Sequence, residues 1–367
     1  MSLTVESITD KRRFLEIAAE WDALAADDRG PFMTTAWLDA WFEAFASDRQ
    51  LHVVALWQDG ELAAGVPLIR RGRRLEAPAN DHTPAFGVLA RDAAARNAVI
   101  AEALGASALV VSALPEGEPP FEQLLDAARA AGRWTLVEGM NTSLVTETNG
   151  SFDEYHAGLS RKVRSEIGRL RRKAEREHRL ELSALAPPHD LEPQMARAFA
   201  LEASGWKGRA GTAIVSAPET ERFYLQVTRN FDAAGKFRIS ELSLDGELAA
   251  MALSIVHNGR AFTLKVAYDE RHRRLGPGFV LLMAMIERCF ELGLDAYEFA
   301  GMDEEYERRF ATAERPHRRL RIYQPAAVNA GRFVYHRQIR PWLRDAYHGA
   351  RRRSAGRWLP ERVAASR

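Results

Sequence analysis

At 367 residues the chain can hold two domains of ordinary size, and a hydrophobic share of 46% is enough to build proper cores. Its 51 basic and 50 acidic side chains leave a net charge of +1, which excludes a protein that binds polyanions by bulk charge and leaves no case for a DNA partner. One cysteine, Cys289, excludes an intramolecular disulfide; with no signal-peptide core over residues 1–24 and no later apolar run of membrane length, a cytoplasmic location is expected.

Residues 32–45 form the first strong helix, with Thr34 or Thr35 to cap it and Trp37, Trp41 and Phe45 along one side as a core-packing stripe. Two strands, 51–57 and 61–69, flank the turn Asp59-Gly60 and make a hairpin. A polar loop, Asn80-Asp81-His82-Thr83-Pro84, is either a self-capped turn or the lining of a cleft between two halves. In the cleft reading Asp81 and His82 contact substrate. Helix, strand, helix and strand signals follow at 92–104, 108–112, 121–131 and 134–138, an α/β order.

A charged helical segment at 151–181 joins the halves, its basic residues outnumbering Glu166, Glu175 and Glu177. Such a run is usually a solvated helix face; its excess of cations also suits a phosphorylated partner, a carrier, an RNA or the phosphate of a coenzyme. After a short strand at 180–185 and Pro187-Pro188, residues 201–212 read as a flexible polar loop. Trp206 and Lys207 on that loop either grip a flat or acidic ligand or sit at the surface. A helix at 219–232 precedes a second hairpin, 237–244 and 247–257. Its turn, Asp245-Gly246-Glu247-Leu248-Ala249-Ala250, repeats Asp59-Gly60-Glu61-Leu62-Ala63-Ala64 letter for letter, which indicates a duplication at domain scale.

The second hairpin leads into the stretch that organises the chain: a strand through Phe262, Leu264, Val266 and Tyr268, a basic glycine-rich turn, an apolar helix from Phe279 to Phe290, and a strand at 295–299. Pro277 suits a first helical position, and Gly276 and Gly278 present no Cβ to a ligand. Free amides and the positive dipole end there make a seat for a phosphate, with Arg271, Arg273 and Arg274 at its rim. An ordinary tight turn with arginines in water is the plain alternative. The first half carries the matching hairpin without such a turn.

The spacing Arg273-x-x-Gly276-x-Gly278 resembles the R/Q-x-x-G-x-G/A turn with which GNAT-type N-acetyltransferases hold the pyrophosphate of acyl-coenzyme A. Residues 152–310 are similar to the acetyltransferase domain of cellulose-biosynthesis proteins of the CelD type, a GNAT branch related to Fem-type aminoacyl ligases. The matching pieces are the basic helix, Trp206-Lys207, the Asp245-Gly246 hairpin, Ala267-Tyr268-Asp269, Gly276-Pro277-Gly278, Tyr297-Glu298-Phe299, and Asp303-Glu304-Glu305-Tyr306. Gly276, Glu298 and Glu307 depart from that pattern, where serine, aspartate and lysine are common; Glu307 reverses a charge beside the site.

The resemblance implies an α/β fold of tandem GNAT-like domains, each a mixed, largely antiparallel sheet flanked by helices. Residues 1–150 form the first, without a coenzyme seat; 151–325 form the acyltransferase domain; 326–367 add a basic helix and tail. It implies transfer of an acyl group, acetyl in the first instance, from acyl-coenzyme A to an amine of a small molecule, sugar or lipid precursor. An aminoacyl-tRNA-dependent ligase and a non-catalytic module of a polysaccharide-synthesis assembly are the ranked alternatives, with tRNA the second-ranked partner.

An attacking amine has a pKa of about 10.4 and must lose its proton. Asp303, Glu304 and Asp269 are the candidate bases, each with plain surface charge as its other reading. Amides of Val266, Ala267 and Tyr268 would meet the oxyanion, and Tyr306 would protonate the leaving thiolate or else pack on the core. No histidine or cysteine spacing suggests a metal site. The basic tail beyond Pro325, with Arg332, Arg337, Arg340, Arg344 and Arg351 to Arg353 among aromatics, either touches an anionic membrane surface or partner, or packs on its own domain.

Overall fold

In the computed structural model, which describes residues 2–26, 28–300 and 304–340, thirteen strands among the described residues join in one sheet. In chain order they are β1 (Leu3–Ile8), β2 (Gln50–Gln58), β3 (Glu61–Arg71), β4 (Arg74–Glu76), β5 (Leu89–Ala90), β6 (Ala108–Pro115) and β7 (Trp134–Glu147). The remainder are β8 (Leu180–Ala186), β9 (Phe237–Leu244), β10 (Glu247–His257), β11 (Arg260–Tyr268), β12 (Ala296–Phe299) and β13 (Ala313–Tyr323). Across the sheet the order is β1-β2-β3-β4-β6-β13-β7-β12-β11-β10-β9-β8, with β5 beside β3. Only β4 with β6 and β11 with β12 run parallel, so the sheet is mixed and largely antiparallel. Helices flank it throughout, as the α/β reading expects.

The repeated hexapeptide builds the same backbone twice. Asp59 and Gly60 take φ 52° and 89°, Asp245 and Gly246 take 54° and 86°, the left-handed pair that a two-residue hairpin turn needs. Each turn is followed by a bulge at the same alanine: Ala63 and Ala249 are skipped in the pairing registers. Both bulged carbonyls accept a hydrogen bond from the next strand's end, from Arg91 N–H and Asp269 N–H. The equivalence extends further along. Ala250 and His257 pair with Tyr268 and Arg260 of one continuous strand, whereas Ala64 and Arg71 pair with Ala90 of β5 and Arg74 of β4. The first half's counterpart of β11 is thus interrupted, and residues 77–88 loop out of it. Asp81 and His82 ride on that excursion.

The strands exchange between halves. β13 lies between β6 and β7, pairing with both, while the end of β7 pairs with β12. Two features that the sequence conceals follow from this. β7 continues to Glu147 through Gly139 and Asn141, poor strand formers, because β13 supplies a ladder partner along its length. β13 itself carries Arg315, Arg318, Arg319 and Arg321, which obscure its alternation; these pair with Glu298, Glu116 and, for the last two, Glu138.

Aromatic packing closes the halves together. Thr34 caps the helix Thr35–Phe45 by accepting from Trp37 N–H, and Trp37 meets Phe223 edge-on with centroids 5.2 Å apart. Phe32 meets Phe262 in the same way at 5.5 Å. The charged joint is two helices, Phe152–Gly158 and Arg161–Glu177, parted at Leu159 and Ser160. Val163, Ile167, Leu170 and Ala174 form the buried stripe of the second, which leaves its cations outside. Downstream, the expected loop at 201–212 is instead the end of a helix, Leu191–Ser204, and a short helix, Trp206–Arg209. Phe333, on the helix Ala327–Val334, packs on Trp134 and Tyr323, while Arg344 and Arg351 to Arg353 lie outside the described residues. No helix among the described residues is long and apolar enough to cross a membrane.

Buried Glu298 binds Arg260 of β11 and Arg315 of β13 at 2.7 and 2.6 Å. Glu298→Ala would leave two largely buried guanidiniums unpaired, so a loss of about 3–5 kcal/mol in urea unfolding is expected.

Candidate active site

β11 and β12 are paired only through Arg260, Ala261 and Phe262, matched to Ala296, Tyr297 and Glu298. β11 then runs on to Tyr268 against β10 alone, and β12 ends at Phe299. Leu264 is an extra residue in the β10–β11 ladder, a bulge that helps β11 bend away. On the open side Lys207 Nζ donates to Val266 carbonyl oxygen at 2.9 Å. Main-chain groups alternate along an antiparallel strand, so Val266 and Tyr268 turn theirs to the open side and Ala267 turns its own toward β10.

The split opens into a cavity of about 790 Å³. Thr263 to Tyr268 line one wall, Gly276 to Phe279 another, and Tyr306 with Glu304 and Glu307 a third. Asp81, His82, Trp206 and Lys207 add to the lining. The fold therefore gathers most of the residues singled out in the sequence onto one surface. Asp269, Arg271 and Arg274 are not on that surface. Asp303 lies outside the described residues.

The start of the helix Pro277–Glu291 is shaped for a ligand. Gly276 sits at φ 59°, ψ 46°, a left-handed position, and a Cβ there would lie 2.6 Å from Leu170 Cδ1 of the basic helix. At Gly278 a Cβ would lie 3.6 Å from the Tyr268 ring, an ordinary contact. Phe279 and Val280 N–H both return to Gly276 carbonyl oxygen, at 3.0 and 3.1 Å. Gly278 N–H has no partner among the described residues, and no side chain caps the helix. The first half differs at the corresponding place. Its helix Ala93–Ala103 begins at Asp92, whose carboxylate accepts from Ala95 N–H at 2.8 Å and already supplies the negative charge that the dipole favours.

Of the three arginines, Arg271 is committed to Asp269 and Glu247, while exposed Arg273 reaches the cavity. Asp269 caps the turn Glu270–Leu275, accepting from Arg271 N–H and Nε at 2.8 Å each; the Arg271 guanidinium holds its carboxyl below the usual range. Tyr306 donates its hydroxyl to Glu307 Oε1 at 3.1 Å and packs edge-on against Phe279. Burial, with Glu307 and Glu304 beside it, raises its pKa and keeps the phenol neutral.

At the far end, fully buried Glu202 accepts from Lys207 Nζ at 3.2 Å and from Ile214 N–H at 2.8 Å, with Lys265 Nζ 3.9 Å away. His82 lies between Thr220 Oγ1 at 3.4 Å and the Tyr224 hydroxyl at 3.3 Å, stacked on Phe45. Burial, with Lys265 nearby, pushes His82 down to about 4. Glu202, Tyr224 and Lys265 escape a reading of the sequence alone. Lys265, a lone cation in an apolar strand, was the available signal.

Residues 161–308 match the model of the acetyltransferase (GNAT) domain family. Among solved structures, FemX superposes with a TM-score of 0.57 at 12% identity, covering 85% of this chain and 96% of that one. The C-terminal domain of a putative lysylphosphatidylglycerol synthetase from Agrobacterium fabrum gives 0.55 at 13%, covering 88% and 96%. L-PGS from Bacillus licheniformis gives 0.52 at 14%, covering 82% and 95%. These likenesses are of fold. No curated protein sequence matches the chain.

Two substitutions separate the glycines: in urea unfolding Gly276→Ala should cost about 1–3 kcal/mol from strain and the Leu170 clash, and Gly278→Ala should be neutral or stabilise by up to ~1 kcal/mol. His82 is lowered from 6.5 to about 4, so between those pH values the unfolded chain binds a proton that the folded chain refuses. Stability should therefore fall as pH drops through that window, and less steeply in His82→Gln, measured by urea unfolding at pH 7 and 5.

Proposed function

We propose that the chain transfers an acyl group, acetyl in the simplest case, from acyl-coenzyme A to an amine of a small molecule, sugar or lipid precursor. The observation that carries this is the uncapped helix start at Gly276 and Gly278, open to the cavity beside the free edge of β11. In this reading the Gly278 amide, the helix dipole and Arg273 hold the diphosphate. The edge groups of Val266 and Tyr268 pair with the pantetheine arm, and one of their amides meets the oxyanion as the amine nitrogen bonds to the thioester carbon. Collapse of that intermediate breaks the carbon–sulfur bond and gives an amide and a thiolate.

Glu304, exposed on the cavity wall, is the described candidate to take the amine proton, with Asp303 next to it in sequence. Tyr306 supports the departing sulfur by turning its one O–H from Glu307 to it. Its raised pKa makes it a hydrogen-bond donor first, with the thiolate, pKa about 8.5, drawing its final proton from water or the base. Within the superfamily, the Trp206-Lys207, Gly276-Pro277-Gly278 and Tyr306 motifs favour the CelD-type branch, and with it an acceptor from polysaccharide synthesis.

A second reading, an aminoacyl-tRNA-dependent ligase, has one observation of its own. The helix Arg161–Glu177 holds eight basic residues against three acidic ones, and its apolar stripe leaves most of those cations in solvent. A salt slope in tRNA binding would follow from it.

Acetyl-coenzyme A at roughly 100 times its Kd should stabilise the chain by about 2.7 kcal/mol in a thermal-shift assay, and Arg273→Ala should weaken that binding about 10-fold. Absence of protection, with salt-sensitive tRNA binding, selects the ligase; absence of both selects a non-catalytic module. Tyr306→Phe should lower kcat at least ~10-fold while leaving coenzyme protection in place.

A further inference from the structure

The polar part of the cavity around Lys265 points to the acceptor. We propose that Lys265 anchors an acidic group on the acceptor, so that the amine acylated here belongs to an amino acid or a similar molecule with a carboxylate or phosphate near its amine. This assignment rests on the acyltransferase reading and specifies its substrate class.

Two ammonium groups share one carboxylate at this end. Lys207 spends two of its three donors, on Glu202 at 3.2 Å and on Val266 carbonyl oxygen at 2.9 Å. Glu202 in turn is taken up by Lys207 and by Ile214 N–H. Lys265 has what is left: an ion pair at 3.9 Å, beyond hydrogen-bond length, and the face of the Tyr224 ring 5.2 Å from its nitrogen. It makes no hydrogen bond among the described residues, although its side chain is only 16% exposed. His82 stays neutral and so adds no second cation beside Lys265. A mostly buried ammonium with unused donors, on the wall of an open cavity, is a costly arrangement that an incoming anion relieves.

The wall beside Tyr306 has the complementary sign. Glu304 and Glu307 line the wall beside Tyr306, where a protonated amine is drawn before it gives up its proton. A cavity with carboxylates at one wall and a spare ammonium at another fits a zwitterion better than a plain amine or a neutral sugar amine. Lys265 precedes Val266 on β11, whose open edge would hold the thioester, so anchor and reacting carbon are neighbours along the strand.

Acyl transfer from acetyl-coenzyme A is measured with the full chain on matched probes: amino acids against their carboxamides, and phosphoethanolamine against ethanolamine. The acidic member of a pair should show a kcat/KM at least ~10-fold higher, with the favoured pair telling carboxylate from phosphate. Lys265→Met should erase that preference, chiefly through acceptor KM, and Lys265→Arg should restore most of it; coenzyme protection in thermal shift should match the parent in both. Equal or better use of the neutral partner overturns the assignment, as does a preference that persists in Lys265→Met. So does a uniform loss of kcat on every amine with unchanged KM, which would make Lys265 a proton acceptor. If Lys265→Met does not fold, Lys265→Gln and the parent's own preference decide. Loss of coenzyme protection in the parent sinks the acyltransferase reading itself, a different result from coenzyme binding without acidic preference.

Discussion

One ionic clamp sets where the sheet is closed and where it is open. Glu298 forms the last register pair between β12 and β11, opposite Phe262, and its carboxylate also grips Arg260 of neighbouring β11 and Arg315 of β13, which lies beyond β7. Below that point three strands are tied together by charge-assisted bonds in a buried setting, where such bonds are strong. Above it β11 and β12 have no bond in common. The cavity, the free edge of β11 and the exposed glycine turn all begin at this boundary.

The two halves show how little separates a filled helix start from an open one. Both build the hairpin and the bulged alanine in the same register and follow them with a helix, which in the second half comes only after the turn Glu270–Leu275. In the first half a carboxylate from Asp92 occupies the helix start, and the strand before it is broken by an excursion. In the second half Gly276 takes the left-handed position and contributes no side chain. The excursion is put to use elsewhere, because it carries His82 across to the second half's cavity.

Much of this was legible in the residues. Asp59-Gly60 and Asp245-Gly246 announce their turns because a left-handed pair of backbone angles admits few residue types. Arg273-x-x-Gly276-x-Gly278 marks the helix start for a similar reason. Trp37, Trp41 and Phe45 mark a buried helix face by spacing alone. What escaped reading depends on distant partners. β13 is dense in arginine and is stabilised as a strand by Glu298 and by Glu116 and Glu138, the last two far off in sequence. Glu202 sits on a helix that the glycines after it disguised as loop, and its pairing with Lys207 and Lys265 exists only once β11 is in place. Asp269 and Arg271 sit in the motif region, yet they satisfy each other, and no local pattern distinguishes an ion pair of that kind from a ligand contact.

The exchange of β13 for the end of β7 reaches beyond geometry. Each half completes its sheet with a segment from the other, so neither can be cut out without stripping hydrogen-bond partners from the one that remains. This splice joins the two halves into one continuous sheet. The half without the glycine turn is therefore indispensable as scaffolding, since its strands supply the ladder partners that β12 and β13 need.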